Sequence, residues 1–411
     1  MDLASVAPLV GGEGWDLLQS LPVYDASTEL ALQTRLRDAG YAPELVSAAL
    51  TQSRLRARAR AKFGSFAAGM LFTPDGLEQA TRLEVAARHA ARFLRAEIRL
   101  VHDLGCGIGA DAMAFAGLDL GVRAVDVDEV TSVVAAMNLR HWPEAQVAHG
   151  RAQDVTLPCG EATRHAGLWL DPARRTRGAA DISGRSRRVF SLDQISPSWD
   201  EVQRYASAVP ATGAKLSPAF PHHRVPGGSA GAEANWVSWQ GEVLECAIWW
   251  GPLVGTVGRT ALVMRAGSAA VTVTEADAAG APPPLSDASR IGTHLYEADR
   301  AVIRAGLTGA LAHTVGGGEL DVGVGYVSSD QLTDVPWAHR YAVVESMPWN
   351  AKAVRAWLRE RGLGRLTIKK RGVALDPELV RTQLKVTGDE AATLVLTRVA
   401  GRPHVLVVRL D

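Results

Sequence analysis

Two stretches carry residues spaced for chemistry. In DLGCGIGAD, residues 103–111, an aspartate stands two positions before the first of three alternating glycines. In LWLDPARRTRG, residues 168–178, an apolar run ends in Asp171-Pro172 and arginines follow at once. Gly105, Gly107 and Gly109 let a backbone turn tightly and pass close to a ligand. Gly105, Gly107 and Ala110 also satisfy the dinucleotide pattern G-x-G-x-x-G/A, so the glycines alone leave the ligand class open. The acids narrow it. Asp103 falls at a strand tip, where a carboxylate can accept from the amino group of an amino-acid moiety but would repel a pyrophosphate. Asp126 ends the next strand and suits the two hydroxyls of a ribose. Asp154 follows a third, short strand and can accept from adenine's exocyclic amine. The set Asp103, Gly105, Gly107, Gly109, Asp126 and Asp154 fits S-adenosyl-L-methionine better than a nicotinamide dinucleotide. Asp128 is expected to cap a helix instead.

Strands and helices in alternation must position these residues. From Ile98, the runs IRLVHDL, VRAVDVD, VAHG, LWLD and GAKLS read as strands, with helices over 110–116, 130–140 and 199–209. This βαβα order predicts an α/β, Rossmann-like fold whose parallel sheet is covered on both faces. NWVSWQGEVLECAIWW predicts an antiparallel hairpin about Gln240-Gly241, and ALVMR and AVTVTEA predict further β structure. The first hundred residues read as helical. A helix opens at Pro43 and runs to Lys62. Thr81 with Glu84 is a capping-box pattern for a helix to about Leu94, and FTPDG between them reads as a turn. AGAPPPLSD is a loop or linker, followed by a helix near 298–313. From Arg340 the order strand–helix–strand–helix–strand–strand predicts a small α+β domain. The expected organisation is an N-terminal helical region over 1–97, the Rossmann-like domain over 98–275, a linker and helix over 276–334, and the α+β domain over 335–411.

DLGCGIGADAMAFA, AVDVDEVTSVVAAMN and the strand ending in Asp171-Pro172 resemble class I methyltransferases that use S-adenosyl-L-methionine. A closer resemblance rests on FTPDGLEQAT, DLGCGIGAD, LDPARRTRG, AKLSP, GEVLECAIWWG, YEADRAVIRAGL and the tail YAVVESMPW…LTIKKRG…LDPELVRTQLK. These resemble the bacterial methyltransferase-like proteins that end in a THUMP-like domain, from about Phe72 onward. The resemblance implies a methyltransferase domain followed by a THUMP-like one. THUMP domains proper bind RNA, so it also implies RNA as the partner. The N-terminal turn with CGIGAD is similar to trimethylguanosine synthase, which methylates guanine N2 in RNA caps, but that similarity stops at the substrate motif.

In this fold the tip of the fourth strand faces the methyl group, and enzymes that methylate base amines place Asp/Asn-Pro-Pro-aromatic there. Here the four positions are Asp171, Pro172, Ala173 and Arg174. A carboxylate and a proline-fixed carbonyl accept both amine protons and aim the nitrogen lone pair, and such positioning is most of the catalysis. Asp171 and Pro172 are therefore the expected catalytic pair. Arg174 replaces the aromatic; a guanidinium stacks on a base or grips a phosphate. Arg174, Arg175 and Arg177 are expected to hold the substrate, Arg174 and Arg175 foremost, with Arg185, Arg187 and Arg188 extending the patch. A DPAR-type strand end also occurs in uridine-5 RNA methylases, which need a cysteine nucleophile near the fifth strand. AKLSP contains none, so direct in-line transfer is expected.

Formal net charge is zero over 411 residues, so any polyanion site is a local patch. SRLRARARAKF, residues 53–63, reads as a solvated or polyanion-facing helix with five basic residues and no acid. Lys369-Lys370-Arg371 is a second cationic run. Trp236, Trp239, Trp249 and Trp250 read as packing, and His222-His223 as a surface pair. No metal is expected, because three cysteines without metal or redox spacing and one His pair supply too few ligands. No signal peptide and no membrane span are expected, and a reducing cytoplasm fits the cysteine usage. Two other readings stay open: an RNA-binding module that keeps the cofactor fold without turnover, and a methyltransferase acting on a small molecule or protein.

Overall fold

A computed structural model describes residues 2–174, 192–227 and 231–410. The chain forms two compact units. The first runs to Leu216 and adds Ile248–Val254; the second comprises Ser217–Ala247 and the chain from Gly255 onward.

The first unit opens with helices α1 (Gly12–Ser20), α2 (Glu29–Asp38), α3 (Pro43–Phe63), α4 (Pro74–Gln79) and α5 (Leu83–Arg95). There follow β1 (Leu100–Leu104), α6 (Ala110–Ala116), β2 (Gly121–Asp126), α7 (Glu129–Leu139), β3 (Ala145–His149), β4 (Ala166–Leu170), α8 (Trp199–Ala208) and β5 (Thr212–Leu216). The five strands are parallel, in the order β5-β4-β1-β2-β3. Strand order reverses between β1 and β4, the place where open α/β sheets bind ligands at the carboxyl ends of their strands. All five residues of β4 are buried, as a strand covered on both faces requires. Behind it Trp169 stacks on Trp249 at 5.2 Å, with Phe93 and Phe115 edge-on to Trp169. Gly213 is needed there, since a Cβ would lie 2.6 Å from the Trp249 ring.

The N-terminal helices reach the glycine loop through two amide side chains. Gln52 of α3 donates to the Phe72 carbonyl (2.7 Å) and accepts from its N–H (2.9 Å). Asn138 of α7 does the same for Leu71 and also donates to the Ile108 carbonyl at 2.8 Å. Two local expectations change. FTPDG is no simple turn: Thr73 caps α4, accepting from the Gly76 N–H at 3.0 Å with Pro74 at the first helical position, a combination that starts helices. Thr81 does not cap α5; Arg82 precedes the helix with no side-chain cap. The Thr81 hydroxyl instead donates to the buried carboxylate of Asp111 and accepts from the Lys215 ammonium, so a charged donor takes the oxygen that a cap would use.

In the second unit lie β6 (Glu233–Trp239) and most of β7 (Glu242–Trp249), whose last two residues belong to the first; the two strands meet at Gln240-Gly241, both at positive φ (52° and 80°) as the hairpin expectation requires. β8 (Gly258–Met264) pairs parallel with β6, and β9 (Val271–Thr274) antiparallel with β8. After the short α9 (Glu275–Ala278) come β10 (His294–Ala298), α10 (Arg300–Arg304) and α11 (Thr308–Thr314). The single helix expected near 298–313 is thus two, divided at Gly306, whose φ is +71°. Beyond β11 (Tyr326–Ser329) the chain continues as β12 (Ala338–Pro348), α12 (Ala351–Glu360), β13 (Leu363–Lys370), α13 (Pro377–Leu384), β14 (Glu390–Val399) and β15 (Arg402–Leu410). This is the strand–helix–strand–helix–strand–strand order. The strands lie in the order β11-β10-β12-β15-β14-β13. α12 and α13 bury Val354, Leu358, Val380 and Leu384 against Leu394, Leu396 and Val405 of that sheet. Among the described residues no helix is long and apolar enough to cross a membrane.

Candidate active site

β1 and β4 end side by side, with Asp103 opposite Trp169 and Leu104 opposite Leu170. The glycine loop leaves β1 there. Gly105 has φ +94°, and a Cβ on it would stand 2.8 Å from the Asp171 carbonyl oxygen. Only glycine lets the two strand ends approach so closely. Gly107 and Gly109 also have positive φ (56° and 85°), and α6 starts directly after.

Asp103 is 1% exposed, and neither carboxylate oxygen has a hydrogen-bond partner among the described residues. Burial pushes its carboxyl well above the usual range; Asp111, Asp171 and Asp126 push further, while Lys215 opposes them. Asp126, at the end of β2, accepts from the N–H groups of Gly107 and Asp128, both at 2.9 Å. Asp128 caps α7, accepting from the Thr131 N–H at 2.9 Å. Asp154 lies exposed in a single turn over Ala152–Asp154, after β3.

Asp171 follows β4 and forms an ion pair with Lys215 of β5, Nζ to Oδ2, at 2.5 Å; the carboxylate side chain is 35% exposed and the lysine 14%. Lys215 also donates to the Thr81 hydroxyl at 3.0 Å. Thr81 donates to Asp111 Oδ2 at 2.7 Å, and His89 Nδ1 donates to Asp111 Oδ1 at 2.8 Å. His89 lies against Trp169 at 4.4 Å. Burial alone would raise Asp111, but His89, Lys215 and Thr81 outweigh it and hold its carboxyl below the usual range. Sequence reasoning missed Lys215, Thr81, Asp111 and His89. One signal was present: Lys215 is one of only six lysines and lies next to the end of a strand.

Ala173–Arg174 forms a two-residue strand antiparallel to Ile195–Ser196. Arg175, Arg177, Arg185, Arg187 and Arg188 lie outside the described residues. The 53–63 run is partly structural. Arg56 is buried and donates to the Met70 carbonyl at 2.9 Å, and Lys62 donates to the carbonyls of Leu77, Glu78 and Ala80 at the end of α4. Arg54, Arg58 and Arg60 are exposed. In the second unit, Lys369 and Arg371 pair with Glu297 at 2.5 and 3.1 Å, leaving Lys370 as the exposed member of that run. Burial pushes the thiols of Cys106 and Cys246 well above their usual range, so neither is poised as a thiolate nucleophile. No cluster of three metal-ligating side chains occurs among the described residues.

These strand tips suit S-adenosyl-L-methionine. The orphaned carboxylate of Asp103 asks for a cationic or N–H partner, as the ligand's ammonium provides. The Gly105 approach leaves backbone rather than side chain at the loop.

The comparisons agree. Residues 338–410 match the model for the THUMP domain-like family, and residues 2–59 match a domain of unknown function. An uncharacterized S-adenosylmethionine-dependent methyltransferase of Mycobacterium tuberculosis, recorded in two strains, is 32% identical over 375 residues, 89% of this chain and 95% of the relative. A solved structure from Porphyromonas gingivalis W83, with a provisional methyltransferase designation, superposes with a TM-score of 0.70 at 19% identity, over 95% of this chain and 100% of that one. It shares the fold. The chain thus belongs to the S-adenosylmethionine-dependent methyltransferases that carry a C-terminal THUMP-like domain.

Proposed function

We propose that the protein methylates an amine of a base in RNA by direct in-line displacement, with the Asp171 carboxylate and the Pro172 carbonyl orienting the acceptor. The observation that carries this reading is the position of Asp171: its carboxylate is half-buried after β4, and its backbone carbonyl stands close against the glycine loop that leaves β1. Asp103, Gly105, Gly107, Gly109, Asp126 and Asp154 would hold S-adenosyl-L-methionine, which supplies a methyl group already activated by its sulfonium charge. Asp171 then has to hold an N–H nucleophile in line and take up hydrogen bonds from it, a contribution of geometry. Arg174 and Arg175 would grip the substrate.

RNA is supported by the THUMP-like match and by a groove between α12 and α13. That groove holds about 500 Å³ and is lined by Lys352, Arg355 and Lys385 with Ala351, Thr382 and Gln383, so no carboxylate faces it. A methyltransferase acting on a small molecule or protein is the second reading, favoured by the zero net charge and by the commitment of Lys369 and Arg371 to Glu297. Tritiated S-adenosyl-L-methionine, total RNA from a strain lacking the gene, and wild-type or Asp171→Ala protein decide between them. Label in RNA with wild type that disappears with Asp171→Ala supports the proposal. Label confined to protein or small molecules refutes RNA as the substrate.

A further inference from the structure

The side chains behind Asp171 form one directed chain. The Lys215 ammonium gives hydrogen bonds to Asp171 and to Thr81. Thr81 has a single proton and spends it on Asp111, so its lone pair faces Lys215. His89 gives to the other Asp111 oxygen and packs on Trp169, which fixes the far end in the core. Four side chains, from β5, the α4–α5 turn, α6 and α5, stand in series behind one carboxylate, and Lys215 is the one that touches it. No local sequence preference demands them, and an exposed ion pair would gain little from such anchoring.

We infer that Lys215 is a positioning residue for methyl transfer: anchored by Thr81, Asp111 and His89, it fixes the Asp171 carboxylate toward the acceptor. The inference rests on the role proposed for Asp171. Lys215 is also the cation that Asp103 and Asp111 share, drawing both downward. Among the described residues, it contacts Asp171 after β4 and Thr81, and its charge acts on Asp103 from β1 and Asp111 from α6. Asp126 from β2 acts on Asp103, and His89 from α5 on Asp111.

Two measurements test this. In the first, transfer of tritiated methyl is counted in RNA, protein and small-molecule fractions, and the variant-to-wild-type ratio is taken wherever label appears. Lys215→Met and Thr81→Val should each lower kcat about 10²-fold, the usual cost of a misplaced reacting group. KM for S-adenosyl-L-methionine should stay within a few fold, and Lys215→Arg and Thr81→Ser should recover part of the loss. The second measurement needs no acceptor. Calorimetry of S-adenosyl-L-methionine binding in two buffers of different ionisation enthalpy counts the protons released. Lys215→Met strips the acids of their cation, so they hold more protons before binding and release more on it. Thr81→Val keeps the charge and removes only one hydrogen bond from Asp111, so its count should rise by less than that of Lys215→Met. Full kcat in Lys215→Met, or an unchanged proton count, overturns the inference. Label outside RNA sinks only the RNA reading. Absence of label everywhere leaves the calorimetric count to decide on Lys215.

Discussion

Asp103→Asn isolates the most unusual group in the site. The free protein buries this carboxyl at 1% exposure with neither oxygen satisfied, and its titration is pushed well upward by burial and by neighbouring acids. A carboxyl raised in the folded state binds its proton more tightly there than in the unfolded chain. Stability therefore falls as pH rises from the ordinary carboxylate range towards the folded value. Asparagine keeps the shape and removes the charge. Asparagine still buries polar atoms without partners but never ionises, so the ligand-free variant should melt a few degrees above wild type at pH 8 and converge with it near pH 4. Binding should move the other way. A hydrogen bond between charged groups contributes about 1.5–3 kcal/mol, so S-adenosyl-L-methionine should bind about 10- to 150-fold more weakly to Asp103→Asn. Wild type should release up to about one proton on binding, as the ligand's ammonium replaces the proton on Asp103; the variant should release less. Scanning calorimetry across pH and titration calorimetry measure the two halves. A variant that melts lower than wild type at pH 8 and binds the cofactor equally well would refute the reasoning.

Two further substitutions probe the frame. Gly105→Ala puts a Cβ 2.8 Å from the Asp171 carbonyl oxygen at a φ of +94°; strain of about 1–3 kcal/mol should lower the melting temperature and abolish the shift that S-adenosyl-L-methionine gives wild type in a thermal-melt assay. In the second unit, burial works upward on Glu297, but Lys369, Arg371 and Tyr341 outweigh it and hold the carboxyl below its usual range. Its stabilisation is present above the ordinary carboxylate range and disappears as pH falls through the lower folded value. Glu297→Gln, by leaving Lys369 and Arg371 without their counter-ion, should cost about 3 kcal/mol at pH 7. The gap from wild type should narrow in acid; a constant gap across pH in urea unfolding would exclude the ion pairs as its source.

Much of the frame was legible in the chain. Alternating apolar runs and helices announced the parallel sheet, because strands buried on both faces must be continuous and apolar, and β4 is. The glycines and the acids at strand tips are local signals: positive φ at Gly105, Gly107 and Gly109 and the Asp128 cap depend on neighbours a few residues away. Charge patterning was less informative. The 53–63 run looks uniformly cationic in sequence, yet Arg56 and Lys62 turn inward to carbonyls. Lys369 and Arg371 meet Glu297, more than seventy residues away, and no spacing rule reaches that far. Thr81 shows why. Its sequence neighbours make it a capping residue, but the Lys215 ammonium, 134 residues on, takes the oxygen a cap would use, and Asp111 takes the proton. The sheet, the glycine loop and the acids at its rim could be read from the chain, since each follows from short-range backbone and burial preferences. The placing of Lys215, Thr81, Asp111 and His89 behind Asp171 emerges on folding alone, because that network forms where parallel packing brings β1, β4 and β5 tip to tip.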